Sequence, residues 1–175
     1  RQTASLFVQN SNHKFELKAS DALNNDRVNE DSYALFIDAD NDGDPDLIVG
    51  SGGNEFTSGK QLSLRYYRNE VGEFIRMPKV FEGFEQNVST IQAADFNRDG
   101  NLDLFVGVNS VPGAFGQIPS NFLFENKGGG MFTDVTSEKA SALQNIGLVY
   151  DALWADLNND NYPDLVVAGH FMPVS

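Results

Sequence analysis

The chain has 175 residues, of which 41% are hydrophobic and 21% are charged, and its formal net charge is −13. These values are typical of a globular protein with a sizeable core rather than of a disordered segment. The acidity argues against a surface that binds nucleic acid or anionic lipid, because both require clustered Lys and Arg. We therefore expect cations as partners, no nucleic acid, and no membrane insertion.

The sequence contains no Cys, which excludes disulfides, thiolate metal sites and cysteine nucleophiles. No apolar run approaches the roughly 18 residues that are needed to span a bilayer. The chain begins at Arg1 without a Met or a signal-like segment. We therefore expect it to be part of a longer precursor.

An aspartate-rich stretch occurs three times along the chain. The copies are DADNDGDPD (38–46), DFNRDGNLD (95–103) and DLNNDNYPD (156–164), and their starts are 57 and 61 residues apart. Each copy runs directly into a short apolar segment, DLIVG, DLFVG or DLVVAG, which is rich in β-formers and too short for a helix. Self-similarity at this period indicates a repeat architecture.

A second marker keeps step with the acidic stretch. The segments FVQN, YYRN and LFEN each end in an asparagine, and a phenylalanine follows five or six residues later. In both complete copies the asparagine lies 31 residues after the first aspartate of the acidic stretch, a phase that chance does not explain. The marker residues are Asn10, Asn69 and Asn126, with Phe15, Phe74 and Phe132.

One repeat unit reads as four strands. In the first complete unit these are SYALFID, DLIVG, LSLRYYRN and EFIRMPKV, and helical signals are nearly absent. Four-stranded antiparallel sheets repeated at this period are typical of a β-propeller. The alternative is a β-sandwich, which need not repeat its sequence. We predict an all-β fold made of about three propeller blades.

The strand pattern also predicts how the blades divide the chain. We expect a half blade at 1–20, complete blades at about 30–82 and 88–137, and a second half blade at about 147–171, all in one propeller fragment. Propellers typically have four to eight blades, so this fragment alone leaves the ring open. Two copies would supply about six blades if the tail of one completed the head of the other.

The acidic stretch has the ligand spacing of a calcium loop. Oxygen ligands at positions 1, 3 and 5, a sharp turn at position 6 and a carbonyl at position 7 suit Ca²⁺, which takes six to eight oxygens, better than Mg²⁺. Position 12, a glutamate in the helix–loop–helix calcium motif, is Val49 in the first copy, so that motif is excluded. An aspartate at position 9 recurs instead. The predicted ligands of about three Ca²⁺ are Asp38, Asp40, Asp42, Asp44 (carbonyl) and Asp46; Asp95, Asn97, Asp99, Asn101 (carbonyl) and Asp103; and Asp156, Asn158, Asp160, Tyr162 (carbonyl) and Asp164.

The three copies differ in predicted affinity. The first offers four side-chain carboxylates and the others three, while Arg98 weakens the field of the second and Asn161 replaces Gly at the turn of the third. We predict that the first copy binds Ca²⁺ tightest. Because each ion adds two positive charges, three would reduce the net charge from −13 to about −7. The alternative is that Asp, Asn and Gly are present only because they favour turns.

The three stretches together with their apolar continuations resemble the FG-GAP/VCBS repeats of the integrin alpha-subunit propeller and of many bacterial surface and secreted proteins. The segment LFENKGGGMFTDVT is similar to the version in bacterial proteins of the ASPIC/UnbV type. The resemblance implies a β-propeller, commonly of seven blades. It also implies calcium in the hairpin loops of one face and partners bound on another.

We therefore expect a calcium-binding, non-enzymatic module that binds a protein or glycan in an extracellular, cell-surface or periplasmic location. Its expected working surfaces are the long loops 51–61 and 109–120, which carry Phe56 and Phe115. Two alternatives are a calcium-dependent polysaccharide-active enzyme and an architectural spacer. The enzyme would need a general base outside the acidic loops. The acidic candidates are Glu55, Glu82, Glu85 and Glu125, with His170 as a further ligand or base.

Overall fold

The computed structural model describes residues 4–53, 55–114 and 116–170, and its regular structure is mainly antiparallel β-sheet. The first complete sheet contains four strands in chain order. They are β3 (Asp31–Ile37), β4 (Asp46–Ser51), β5 (Arg65–Glu70) and β6 (Glu73–Arg76).

The second complete sheet repeats this arrangement, again in chain order. Its strands are β7 (Asn87–Ala94), β8 (Asp103–Ser110), β9 (Phe122–Asn126) and β10 (Phe132–Asp134). A two-stranded sheet lies at each end of the described chain. These pairs are β1 (Leu6–Gln9) with β2 (Phe15–Lys18), and β11 (Leu148–Ala155) with β12 (Asp164–His170). The prediction of an all-β fold made of propeller-type blades is confirmed.

Two short helices lie in the connections, α1 (Asp21–Asn25) and α2 (Thr136–Lys139). The side chain of Ser20 accepts a hydrogen bond from the backbone nitrogen of Leu23, so Ser20 is the N-cap of α1. The third strand of the first unit begins at Arg65, later than the sequence predicted, because residues 60–62 form a 3-10 helix. The fourth strand ends at Arg76 rather than at residue 80.

The sheets pack face to face through three clusters of buried side chains. The largest cluster lies between the two complete sheets and includes Ile48 and Tyr66 of the first and Ile91 of the second. Close approach depends on glycine in the second strand: a Cβ at Gly50 would lie 2.5 Å from Cγ1 of Val88. A Cβ at Gly107 would likewise lie 2.6 Å from Cγ1 of Val149, which is on β11. The glycines that follow the first two acidic stretches therefore set how closely successive sheets stack.

Strand register refines one of the sequence markers. Asn69 lies opposite Phe74, and Asn126 lies opposite Phe132. In the β1–β2 hairpin, however, Gln9 lies opposite Phe15, and the marker residue Asn10 is one position further into the turn. Gln9 is therefore the structural counterpart of the two marker asparagines.

Candidate metal centre

Each acidic stretch forms the loop between the first and second strands of a sheet. We call these loop one (38–46), loop two (95–103) and loop three (156–164). The fourth and sixth residues of every loop have left-handed backbone, a conformation that Gly and Asn adopt at least cost. Asn161, which replaces Gly in loop three, takes this conformation with φ of 69°, as its residue type predicts. These fourth and sixth residues are Asn41 and Gly43, Arg98 and Gly100, and Asn159 and Asn161.

The first aspartate of each loop accepts at least two backbone hydrogen bonds from within the loop. In loop one, Asp38 Oδ1 accepts from the nitrogen of Asp42 at 3.1 Å, and Oδ2 accepts from the nitrogen of Gly43 at 3.0 Å. Asp95 and Asp156 repeat both contacts at distances between 2.9 and 3.2 Å. The three loops therefore share one backbone conformation despite their different sequences.

The aspartate at position 9 joins the loop to the sheet. Asp46 is completely buried; its Oδ2 accepts from the nitrogen of Ala39 at 3.0 Å, and its Oδ1 accepts from the nitrogen of Asn69 on β5 at 2.7 Å. Asp103 is equally buried and makes the equivalent contact with the nitrogen of Asn126 at 2.8 Å. Burial raises the pKa of Asp103 to about 6, although its backbone donors act in the opposite direction.

Loop one gathers three carboxylates. Oxygen atoms of Asp38, Asp40 and Asp42 all lie within 4.8 Å of one another. Oδ1 of Asp40 is buried and has no hydrogen-bond partner. Burial raises the pKa of Asp40, and the nearby charges of Asp46 and Asp42 raise it further, while a backbone hydrogen bond from Asp42 and the charge of Arg68 act in the opposite direction. Crowding of like charges and burial of an unpartnered oxygen are both unfavourable.

Loops two and three relieve the same crowding with an amide. The Nδ2 group of Asn97 donates to Asp99 Oδ2 at 3.1 Å, and its Oδ1 accepts from the nitrogen of Asp99 at 2.9 Å. Asn158 and Asp160 repeat both contacts at 3.0 and 2.8 Å. Loop one has a carboxylate at this position and therefore has no donor to offer.

One further charged side chain lies beside each of the first two loops. It comes from β5 at loop one and from β9 at loop two. Glu125 is paired with Lys127, and its Oε1 accepts from Nδ2 of Asn97 in loop two at 3.0 Å. The equivalent position in the first sheet is Arg68, whose charge lowers the pKa of Asp40. Sequence reasoning did not connect these two residues with the loops. The usable signal was the position before the marker asparagine, which is Arg in YYRN and Glu in LFEN.

Neighbouring loops contact each other across the sheet interfaces. Asn41 Nδ2 of loop one donates to Asn101 Oδ1 of loop two at 2.9 Å. The guanidinium carbon of Arg98 in loop two lies 5.1 Å from the ring centroid of Tyr162 in loop three. The three loops therefore lie side by side, and charge in one loop influences the next.

The residues considered for catalysis have mainly structural contacts. Oε2 of Glu85 accepts from the nitrogen of Gly59 at 2.7 Å, which ties a long loop to the sheet. The ring of His170 lies 4.6 Å from that of Tyr150 on the neighbouring strand. Glu55 and Glu82 are exposed and Phe56 is half-buried, while Phe115 lies outside the described residues.

Residues 38–106 match the family model described as FG-GAP-like repeat. The chain contains an FG-GAP-like repeat. The match begins at the first aspartate of loop one, includes all of loop two and ends within β8. It confirms the family resemblance that the acidic stretches and their apolar continuations predicted.

The chain is also similar to phosphatidylinositol-glycan-specific phospholipase D from Homo sapiens. The two sequences are 30% identical over 158 residues, which cover 78% of this chain and 18% of the human protein. The chain thus spans about a fifth of the length of that curated relative. Among the residues described, no helix has both the length and the apolar character that crossing a membrane requires.

Proposed function

We propose that the chain is a calcium-stabilised β-propeller segment that binds a protein or glycan partner outside the cytosol. The observation that carries the calcium proposal is loop one, where three carboxylates converge within 4.8 Å and one buried carboxylate oxygen lacks a partner. A hard cation with a high coordination number would offset the charge of the three carboxylates and would also bind the unpartnered oxygen.

The proposed ligands of loop one are the carboxylates of Asp38, Asp40, Asp42 and Asp46 and the backbone carbonyl of Asp44. These five groups supply most of the six to eight oxygens that Ca²⁺ requires, and water supplies the rest. Loops two and three offer the corresponding sets, with three carboxylates and one amide oxygen each. In these loops the carboxylate of Asp99 or Asp160 would have to lose its hydrogen bond from the neighbouring asparagine amide before it bound an ion. Loop one has no such bond to break, which supports tighter binding there.

The bound ion would act as a structural brace between the first two strands of each sheet. A ligand that binds only the folded state at 100 times its dissociation constant stabilises that state by about 2.7 kcal/mol. For a domain of this size, 1 kcal/mol corresponds to a shift of about 2–4 °C in melting temperature. One saturated site would therefore raise the melting temperature by roughly 5–11 °C.

The proposed location follows from the role of the ion. Cytosolic calcium is scarce, so structural sites of moderate affinity suit an extracellular, cell-surface or periplasmic protein. The human relative is named as a phospholipase D specific for phosphatidylinositol-glycan, but only 18% of its length aligns with this chain. The catalytic role in that name is therefore not carried over to this chain, for which we propose a binding role.

Thermal unfolding of chelator-stripped protein tests the calcium proposal. Melting curves would be recorded without added metal, with saturating Ca²⁺, and with Mg²⁺ at the same ionic strength. We expect a rise of several degrees with Ca²⁺ and a much smaller one with Mg²⁺. Equal responses to the two ions would indicate general charge screening and would contradict a built calcium site.

A binding screen tests the partner proposal separately. Glycans and candidate proteins would be screened against the calcium-loaded chain, with a Phe56→Ala variant as a probe of the long loop 51–61. We expect saturable binding that this variant weakens. The absence of any saturable partner would favour the architectural-spacer alternative, and turnover of an oligosaccharide would favour the enzyme alternative.

A further inference from the structure

The marker asparagine of the second complete sheet holds the acidic loop of its own sheet. Asn126 is completely buried. Its backbone nitrogen donates to Oδ1 of Asp103 at 2.8 Å, and its Nδ2 donates to the carbonyl oxygen of Leu102 at 3.2 Å. Asn69 makes both equivalent contacts in the first complete sheet. Each marker asparagine therefore fixes the end of the loop that lies beside it.

Asn126 makes one further contact, which crosses the sheet interface to loop one. Its Nδ2 also donates to the carbonyl oxygen of Ala39 at 2.7 Å. The nitrogen of Gly130, in the turn between β9 and β10, donates to the same oxygen at 3.0 Å. Ala39 is completely buried and lies between two predicted calcium ligands, Asp38 and Asp40. The second complete sheet therefore holds the backbone of loop one where its ligands begin.

These contacts form part of a buried chain of hydrogen bonds between the two loops. The nitrogen of Ala39 donates to Oδ2 of Asp46 at 3.0 Å. The chain therefore runs from Asp103 through Asn126 and Ala39 to Asp46, and all four residues are completely buried. Its two ends are the position 9 aspartates of loops two and one. Hydrogen bonds shielded from water are electrostatically stronger than exposed ones, so this chain suits the transmission of a small displacement.

We propose that occupation of loop one raises the calcium affinity of loop two, and that Asn126 is the positioning residue that couples them. This inference rests on the proposed calcium role of both loops. Ligation by Asp46 would fix the orientation of its carboxylate and, through Ala39 and Asn126, that of Asp103. Loop two would then lose less conformational freedom when it binds its own ion. By thermodynamic linkage, occupation of loop two raises the affinity of loop one by the same factor.

The direct effect of charge on the two loops has the opposite sign. Loop one contains five aspartates, so a bound Ca²⁺ reduces its net charge from −5 to −3. Charge alone would therefore make loop two less attractive to a second cation. Salt screens exposed charges over a distance of about 8 Å at physiological ionic strength, but it does not affect buried hydrogen bonds in the same way. The sign of the coupling thus separates the two effects.

NMR titration with chelator-buffered Ca²⁺ at physiological ionic strength measures each loop separately. The backbone amides of Gly43, Gly100 and Asn161 each donate to the first aspartate of their own loop, at 3.0, 2.9 and 2.9 Å, and so report its occupancy. Asp42→Ala removes a proposed ligand of loop one and should abolish the response of Gly43. We expect the calcium midpoint of Gly100 to rise about fivefold or more in this variant. The midpoint of Asn161 should stay unchanged and serves as the internal control.

Charge alone predicts a different result for the same variant. Without its ion, loop one of Asp42→Ala has four negative charges, whereas the occupied parent loop has a net charge of −3. Loop two would then bind calcium more tightly, and the Gly100 midpoint would fall. An unchanged or lower Gly100 midpoint, or an equal rise at Asn161, would overturn the coupling. Calcium that moves neither Gly43 nor Gly100 in the parent protein would instead overturn the calcium proposal itself.

Asn126→Ala tests the role of the asparagine, because it removes the amide that donates to Ala39. In this background, Asp42→Ala should no longer raise the Gly100 midpoint. Asn69→Ala is the matched control, since it removes the equivalent amide but leaves the hydrogen-bond chain intact. Amide spectra would verify that both variants fold, and the Asp42→Ala comparison in the parent protein does not require either of them. A rise that persists in Asn126→Ala, or that is lost in both variants, would overturn the role of Asn126.

Discussion

Replacing Asp40 by Asn should stabilise the metal-free protein and weaken its response to calcium. Oxygens of Asp38, Asp40 and Asp42 lie within 4.8 Å of one another, so each like-charge pair costs about 1 kcal/mol even at the dielectric constant of water. The substitution removes two such pairs. It also supplies the amide donor that loops two and three already have.

The expected gain in the free energy of unfolding without metal is therefore about 2 kcal/mol, or roughly 4–8 °C in melting temperature. In calcium, the same substitution removes one ligand charge. We expect the affinity of loop one to fall about tenfold, which reduces its contribution at a fixed calcium excess by about 1.4 kcal/mol. The rise in melting temperature on adding calcium should accordingly be smaller in the variant than in the parent protein.

Differential scanning calorimetry with chelator and then with saturating Ca²⁺ measures both effects. Asp44→Asn is the matched control, because it removes the same charge from the same loop while Asp44 is proposed to bind through its backbone carbonyl. We expect the control to show less than half of each effect. An unchanged melting temperature without metal, together with an unchanged calcium response in Asp40→Asn, would refute the reasoning about loop one.

Three further predictions concern the second sheet. Glu125→Gln should weaken calcium binding at loop two, measured by titration calorimetry, because it removes a carboxylate next to that loop; an unchanged affinity would contradict this role. Gly130→Ala should destabilise the fold by about 1–3 kcal/mol more than Gly128→Ala in urea unfolding, since both have left-handed backbone but only at Gly130 would the Cβ lie 2.6 Å from the Tyr66 hydroxyl. Equal losses would contradict that contact. Asp103 should titrate with a pKa of about 6 by NMR in the metal-free protein and well below that in calcium. Because its folded pKa is raised, its ionisation lowers the stability of the metal-free protein between about pH 4 and pH 6, and a pKa near 4 would contradict this account.

The repeat carried most of the information that made the fold predictable. The hairpins on either side of each acidic loop could be located because strand alternation, turn residues and the acidic stretch recur in the same phase. Strand ends were less predictable. Leu62 and Leu64 look like strand residues, but Leu62 ends a 3-10 helix and Leu64 lies between that helix and β5, and both are fully or almost fully buried. Apolar side chains fill a core equally well from a connection, and a periodic pattern does not separate these cases.

The acidic loops could be located from the sequence, but the charges that flank them could not. Arg68 and Glu125 are 22 residues after the end of loop one and of loop two respectively, and only the pairing of β4 with β5 and of β8 with β9 brings them near. The contrast between the unpartnered Oδ1 of Asp40 and the amide of Asn97, which donates to Asp99, is likewise a matter of side-chain geometry. The simple count of carboxylates that ranked loop one first omits both of these features.

A calorimetric titration of chelator-stripped protein with Ca²⁺ tests the central proposal most directly, with Mg²⁺ as the comparison ion. The account predicts about three calcium sites, the tightest of them lost or weakened in the Asp40→Asn variant. No calcium uptake, or a single site that Asp40→Asn leaves unchanged, would contradict it. The aspartates of the three loops would then serve only the turns that their backbones form.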